Sequence, residues 1–180
     1  RFLSFPQHRS GGGAVLKPML LCIDSGNTNI VFAVFDDEDK PRGQWRSSSH
    51  GERTADEFGV WLGQLMDKAG ISAADITACI IASVVPASLY GLKTLCRDYF
   101  ACDPLVIGEK GVDLGIGVLV DRPDDVGADR LVNAVSAHQL YGGPLIIVDF
   151  GTATTFDIID AAGNYVGGVI APGVNLSLEA

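Results

Sequence analysis

Asp24-Ser-Gly26-Asn27-Thr28 and Asp149-Phe-Gly151-Thr152-Ala-Thr154 present the same chemical groups in the same order: an acid, a glycine two positions on, then hydroxyl side chains. A strand-to-strand turn of this composition can aim backbone N–H groups and small hydroxyls at phosphate oxygens, because glycine has no Cβ to block approach and threonine adds a compact donor. The carboxylate on the entering strand would repel phosphate directly. Its natural task is to hold a cation, bare or hydrated, that bridges to the phosphates. A single Asp-x-Gly is also a good hairpin tip. Its recurrence points to a phosphate-gripping hairpin used twice.

The settings of the two turns match as well. Met19-Leu-Leu-Cys-Ile23 precedes the first and Pro144-Leu-Ile-Ile-Val148 the second, both short apolar runs of the kind buried on two faces of a sheet. Ile30-Val-Phe-Ala-Val-Phe35 and Thr155-Phe-Asp-Ile-Ile159 follow, then polar turns at residues 36–40 and 160–164, then a third strand opening near Gly43 and Gly168. Matching order at matching offset argues for duplication. A second chemical cluster, Gly127-Ala128-Asp129-Arg130, lies at the first turn of an expected helix running to His138. An acid there suits the helix dipole. Just ahead of the second turn, it is also placed to face a transferred phosphoryl group.

The elements between the turns alternate. Residues 54–68 put Phe58, Trp61, Leu62, Leu65 and Met66 on one helical face, with Thr54 and Glu57 in capping-box spacing and Gly70 as the stop. Residues 75–85 read as a buried strand, residues 87–100 as a second amphipathic helix through Leu89, Leu92, Leu95, Cys96 and Tyr99, and residues 104–107 as a short strand. Strands flanked by helices in this order predict an α/β fold with a mixed sheet.

Composition narrows the function classes. With 180 residues, 47% of them hydrophobic, the chain can bury a sizeable core. A net charge of −9 and the lack of a Lys/Arg-rich patch argue against nucleic acid or an anionic membrane as partner. Apolar runs such as residues 78–85 are far short of a bilayer span. Cys22, Cys79, Cys96 and Cys102 lack CxxC spacing and sit in or beside apolar segments, which predicts buried reduced thiols and a cytoplasmic setting. Residues 1–18 read as a disordered tail without a signal-peptide h-region. His8, His50 and His138 are scattered and are expected to be satisfied or solvent-facing. The run Asp36-Asp-Glu-Asp-Lys40 reads as a solvated hairpin tip.

Four ordered motifs, Asp24-Ser-Gly-Asn-Thr28, Gly127-Ala-Asp-Arg130, Asp149-Phe-Gly-Thr-Ala-Thr-Thr155 and Gly167-Gly-Val-Ile-Ala-Pro-Gly173, resemble those of type III pantothenate kinases, members of the acetate and sugar kinase, Hsp70 and actin superfamily. The resemblance implies duplicated ribonuclease H-like (actin-like ATPase) domains with mixed five-stranded sheets, the first over residues 19–126 and the second, incomplete, over 127–180 with its linking helix. It implies that Asp24, Ser25, Gly26, Asn27, Thr28, Asn29, Ile30 and Val31 form a first ATP phosphate loop, with Thr152 on the ATP side. By the same resemblance Asp149 is the ligand of a monovalent cation, potassium or ammonium. Gly127, Ala128, Asp129 and Arg130 contact pantothenate, with Asp129 the base for its primary hydroxyl and Arg130 holding a substrate oxygen or steadying Asp129. Gly167, Gly168, Pro172 and Gly173 would shape the third strand around the nucleotide. ATP with magnesium as co-substrate and a homodimer are implied too. Neither turn carries a P-loop lysine, so a cation at Asp149 would supply the missing positive charge.

Many relatives carry an aromatic residue a few positions before the Gly-x-Asp-Arg segment, where Val120 stands here. The second repeat is cut short at Ala180, so strands within residues 145–170 are expected to expose apolar faces, and residues 1–180 alone are expected to be inactive. Two other readings share the fold: a kinase acting on a sugar or small acid, and a transcriptional accessory or regulatory protein. Only the Gly-Ala-Asp-Arg segment separates the kinases, and retention of three acids favours catalysis over regulation.

Overall fold

The computed structural model describes residues 18–49 and 53–178. His8, His50 and the expected tail up to residue 17 lie outside the described residues. The chain divides into two compact units, one ending at Val106 and the other beginning at Ile107.

In the first unit, β1 (Met19–Ser25), β2 (Asn29–Phe35) and β3 (Pro41–Ser48) form an antiparallel meander, followed by α1 (Ala55–Lys68), β4 (Ile76–Ser83), α2 (Pro86–Phe100) and β5 (Leu105–Val106). The sheet order is β3-β2-β1-β4-β5, with β4 parallel to β1 and β5 parallel to β4. This is the expected mixed five-stranded sheet. β1 is central, and its alternation sends Leu21 and Ile23 into the core with Phe32, Val34 and Ile81. The helices return Phe58, Leu62, Met66, Leu92, Leu95 and Cys96 to the same core.

The helix boundaries follow local chemistry. Thr54 Oγ1 accepts from the Glu57 backbone N–H at 3.2 Å, and the Glu57 carboxylate accepts from the Thr54 N–H at 2.8 Å, a complete capping box. Gly70 at φ +71° then carries the chain out of α1. Pro86 opens α2, where its missing N–H costs nothing, and Ala101 closes it in the left-handed region at φ 52°. Because Leu92 is fully buried at the α2–sheet contact, Leu92→Ala is expected to cost about 2–5 kcal/mol, read as a lower denaturation midpoint. An unchanged midpoint would contradict this core assignment.

All four cysteines are free. Burial pushes the Cys22 thiol up to about 11, and a hydrogen bond with Cys96 plus burial raises Cys79 as well. Neither Cys22 nor Cys79 is therefore a nucleophile at neutral pH. The segment 36–40 is an exposed tip in which Asp36 accepts from the Glu38 and Lys40 backbone N–H groups.

The second unit contains α3 (Ala128–Tyr141), a meander of β6 (Leu145–Phe150), β7 (Ala153–Ile159) and β8 (Tyr165–Pro172), and the short α4 (Val174–Leu178). It also takes in residues 107–126, which the sequence reading assigned to the first domain. The physical reason is backbone pairing: Leu119 N–H donates to the Tyr165 carbonyl at 2.8 Å, and Tyr165 N–H to that of Gly117 at 2.9 Å. The Asn164 side chain accepts from Gly117 N–H at 2.9 Å. Val118 and Val120 consequently pack beside Ala134, Ile159 and Tyr165.

One face of this three-stranded sheet carries Leu145, Ile147, Ile159 and Tyr165 against the core of the unit. On the other face Ile146, Val148, Phe150, Phe156, Ile158 and Val169 are exposed, and Ile170 is exposed on the first face, so most of the expected apolar exposure falls on one side. Among the described residues no helix is long and apolar enough to cross a membrane.

Candidate functional site

In the first unit the 24–28 turn joins β1 to β2. Ser25 pairs with Ile30 across the ladder, and Gly26 N–H closes the turn on the Asn29 carbonyl at 3.0 Å. Asp24, Asn27, Thr28 and Asn29 are exposed at the tip, whereas Ser25 turns inward and shares a hydrogen bond with the Ser88 hydroxyl at 2.8 Å. Ile30 is a core side chain and Val31 is half-buried, so any ligand contact from Ser25 and Ile30 runs through their backbone. The turn is anchored from just beyond β3: Ser49 Oγ donates to the Gly26 carbonyl at 2.6 Å, and Ser49 N–H to that of Thr28 at 2.9 Å. Asp24 thus sits at the exposed end of the central strand, beside a braced loop.

In the second unit the counterpart joins β6 to β7. Phe150 pairs with Thr154, so this turn is one residue shorter than the first. Gly151 N–H donates to the Ala153 carbonyl at 3.0 Å. Asp149 is exposed and accepts from Asn133 Nδ2 at 3.2 Å, while Thr154 is buried and Thr152 is exposed. A groove of about 330 Å³ runs beside Asp149, lined by Asn133, Ser136, Leu140, Tyr141 and Val148 among others. Asn133 was not anticipated from sequence. It lies one helical turn beyond Asp129 on α3, and that spacing puts both side chains on the same strip of the helix.

Gly127 caps α3, and Ala128 is buried behind it. Asp129 is half-buried, and its Oδ1 accepts from the Arg130 backbone N–H at 2.8 Å. Among the described residues Oδ2 of Asp129 has no protein partner. Arg130 does not reach for Asp129 with its side chain. Its Nε and Nη2 both bond Asp157 Oδ1 at 2.6 Å, and Nη2 also reaches the Phe156 carbonyl at 3.4 Å. Of the two roles expected for Arg130, steadying Asp129 is therefore not performed by the guanidinium. Tyr165 Oη donates to the same Asp157 oxygen at 2.8 Å, its ring lies 5.7 Å under the guanidinium, and burial with the Asp157 bond pushes its phenol up to about 12. Asp157 escaped sequence reasoning because it appears there only as a polar interruption in a strand.

The glycines of the last motif divide by role. A Cβ on Gly168 would lie 2.6 Å from the Phe156 carbonyl oxygen and the Tyr165 hydroxyl, and it would overlap Arg130 Nη2; the absent side chain is what admits the guanidinium. Gly173 abuts the second turn, where a Cβ would lie 2.8 Å from the Thr152 carbonyl carbon and 2.9 Å from the Gly151 oxygen. Gly167 has open space around it. Gly168→Ala is expected to cost about 1–3 kcal/mol through forced displacement of Arg130, and a melting temperature equal to that of the unaltered protein would contradict it.

His138 departs from expectation. The residue is half-buried, and its Nδ1 is buried without a partner, against Gly143, so that nitrogen is not satisfied.

The β3-β2-β1-β4-β5 mixed sheet, a second β-meander opened by the same acidic turn, and an acid at a helix N-terminus define the ribonuclease H-like, actin-like ATPase class of α/β protein. Two solved structures share the fold: a reductive activator for corrinoid, iron-sulfur protein (TM-score 0.53, 12% identity, 83% of this chain and 30% of that one) and the ethanolamine utilization protein EutJ from Carboxydothermus hydrogenoformans (TM-score 0.50, 17% identity, 89% and 55%). Within this class, the family model for type III pantothenate kinase matches residues 20–180, and the chain belongs to that family. Curated type III pantothenate kinases from Paramagnetospirillum magneticum and Rhodospirillum rubrum are 68% and 66% identical over 162 residues, 90% of this chain. One from Acidiphilium cryptum is 57% identical over the same length. The chain spans 62%, 63% and 60% of these relatives, respectively.

Proposed function

We propose that the intact protein phosphorylates pantothenate with ATP, giving 4′-phosphopantothenate and ADP, the first step of coenzyme A biosynthesis. The observation that carries this reading is Asp129, half-buried at the first turn of α3 with Oδ1 committed to the Arg130 backbone and Oδ2 open. The primary alcohol attacks the γ-phosphorus, the bond to the ADP oxygen breaks, and the hydroxyl proton passes to Asp129. A carboxylate is a weak base for an alcohol, but in a loose transition state the proton leaves late and positioning does most of the work.

Asp24, Gly26, Asn27, Thr28 and Asn29 contact the ATP phosphates, with the backbone of Ser25, Ile30 and Val31 shaping the loop; Thr152 acts from the second turn. Gly127, Ala128 and Arg130 wall the pantothenate side, with Arg130 holding a substrate oxygen. Asp149 holds a monovalent cation, potassium or ammonium, and magnesium arrives with ATP. The donor set fits that assignment. An exposed carboxylate beside the Asn133 amide suits a weakly held, partly hydrated ion better than a tight divalent cage. That ion would offset phosphate charge.

The active form is read as a cytoplasmic homodimer, without nucleic-acid or membrane partners. Exposed Leu140 and Tyr141 at the end of α3 support the dimer, and the net charge of −9 supports the absence of polyanionic partners. The test is phosphorus NMR of the product formed by the intact protein from ATP and pantothenate. A new phosphomonoester on the primary hydroxyl is expected; ADP without that ester would contradict the assignment.

A further inference from the structure

We infer that Asp157 is a positioning residue that aims Arg130 at the carboxylate of an acidic substrate, making the second unit a reader of the acid group. The inference rests on the pantothenate reading above and adds which end of the substrate Arg130 takes and what holds it there.

Asp157 is completely buried, and all its hydrogen bonding converges on one oxygen. Oδ1 accepts from Arg130 Nε and Nη2, both at 2.6 Å, and from Tyr165 Oη at 2.8 Å, while Oδ2 is buried without a partner. Arg130 is 14% exposed, so the pair is largely withdrawn from water. A desolvated ion pair of this kind is weak evidence for stability, since apolar residues of similar volume often serve as well. What it does supply is orientation. The guanidinium is a rigid planar fork. With Nε and Nη2 engaged by Asp157, Nη2 also touching the Phe156 carbonyl, and the Tyr165 ring beneath, its plane and direction are set.

Nη1 has no protein partner among the described residues. It is therefore the donor left over for a ligand, on the residue next to Asp129. A guanidinium in this state favours an anionic oxygen, because a charge-assisted bond to a carboxylate is roughly twice as strong as one to a neutral acceptor. Gly168 keeps the space open, since a Cβ there would overlap Arg130 Nη2. The carboxylate lies at the far end of pantothenate from the primary hydroxyl, so this contact would bind and orient the acid without entering the phosphoryl transfer.

The test compares pantothenate with pantothenol, its neutral analogue carrying a hydroxymethyl in place of the carboxylate, in the intact protein. Asp157→Asn is expected to raise KM for pantothenate about tenfold or more, with a smaller effect on kcat, and to change kcat/KM for pantothenol less than about threefold. The acid-to-alcohol preference therefore collapses. A purely structural role would lower both substrates alike, and that result, or an unchanged preference, would overturn the inference. Should Asp157→Asn fail to fold by thermal melt, Tyr165→Phe decides: it keeps the ring and removes one donor to Asp157, and a loss confined to pantothenate is expected, of about threefold. Equal losses or none would overturn the proposal. If the unaltered protein turns over neither compound, the kinase reading fails; if it turns over both equally well, only this inference fails.

Discussion

Asp129→Asn in the intact protein is expected to lower kcat for pantothenate about 10²–10⁴-fold, the range a positioned general base contributes, with the fold unchanged. The substitution is nearly isosteric. Oδ1 can go on accepting from the Arg130 N–H, so α3 keeps its first turn, and only the open oxygen loses its basicity. Thermal melting and far-UV circular dichroism should match the unaltered protein, and KM for ATP should move little. Activity within about threefold of normal would show that proton acceptance lies elsewhere or that positioning alone suffices. A regulatory protein of the same fold would lose nothing, so the variant also separates catalysis from a binding-only role.

Asp149→Ala is expected to reduce turnover about 10²-fold at moderate potassium, comparable to the loss of one preorganised charge-stabilising group. Neither turn carries a lysine, so no side chain of the two turns can replace the lost positive partner. The loss should be partly offset by raising potassium or ammonium, and KM for pantothenate should stay near normal, because the substrate acid is read at Arg130. Asn133→Ala is the milder companion, removing the amide that orients Asp149 at 3.2 Å. If Asp149→Ala retains full activity and its ordinary cation dependence, the cation site must be moved to other residues.

Sequence and structure agree most closely where chemistry is local. The capping box of Thr54 and Glu57, the stop at Gly70 and the apolar stripe of α1 each depend on neighbours within a few residues, and all three recur in the structure. The paired turns are legible because their strands are continuous apolar runs and each tip carries a glycine two residues after an acid. What stayed hidden depends on register between distant segments. Asp157 meets Arg130 only because β7 and α3 pack together, and nothing in Thr155-Phe-Asp-Ile-Ile159 marks its acid as buried. Asn133 is similar: its partner Asp149 lies on another element. Residues 107–126 group with the second unit for the same reason, since residues 117–119 are held by the Asn164 side chain and the Tyr165 backbone, contacts that local pattern does not encode. The one-residue difference between the turns also emerged only from the pairing of Ser25 with Ile30 and of Phe150 with Thr154.

The glycines of the last motif show how a motif can be right in place and differ in cause. They were expected to shape a strand around a nucleotide. Gly173 does lie against the second turn, but Gly168 makes room for the Arg130 guanidinium. The exposed sheet face from Ile146 to Val169 is the counterpart of the covered one: six large apolar side chains open to solvent are uncommon in a stable monomer and mark a surface that needs a cover.

The most direct measurement is ADP release by the intact protein, coupled to a spectrophotometric readout, with pantothenate against a panel of sugars and small acids, each with and without potassium. Release that requires pantothenate and rises with potassium is the predicted result. Release driven equally well by a sugar, or unaffected by pantothenate, would contradict it.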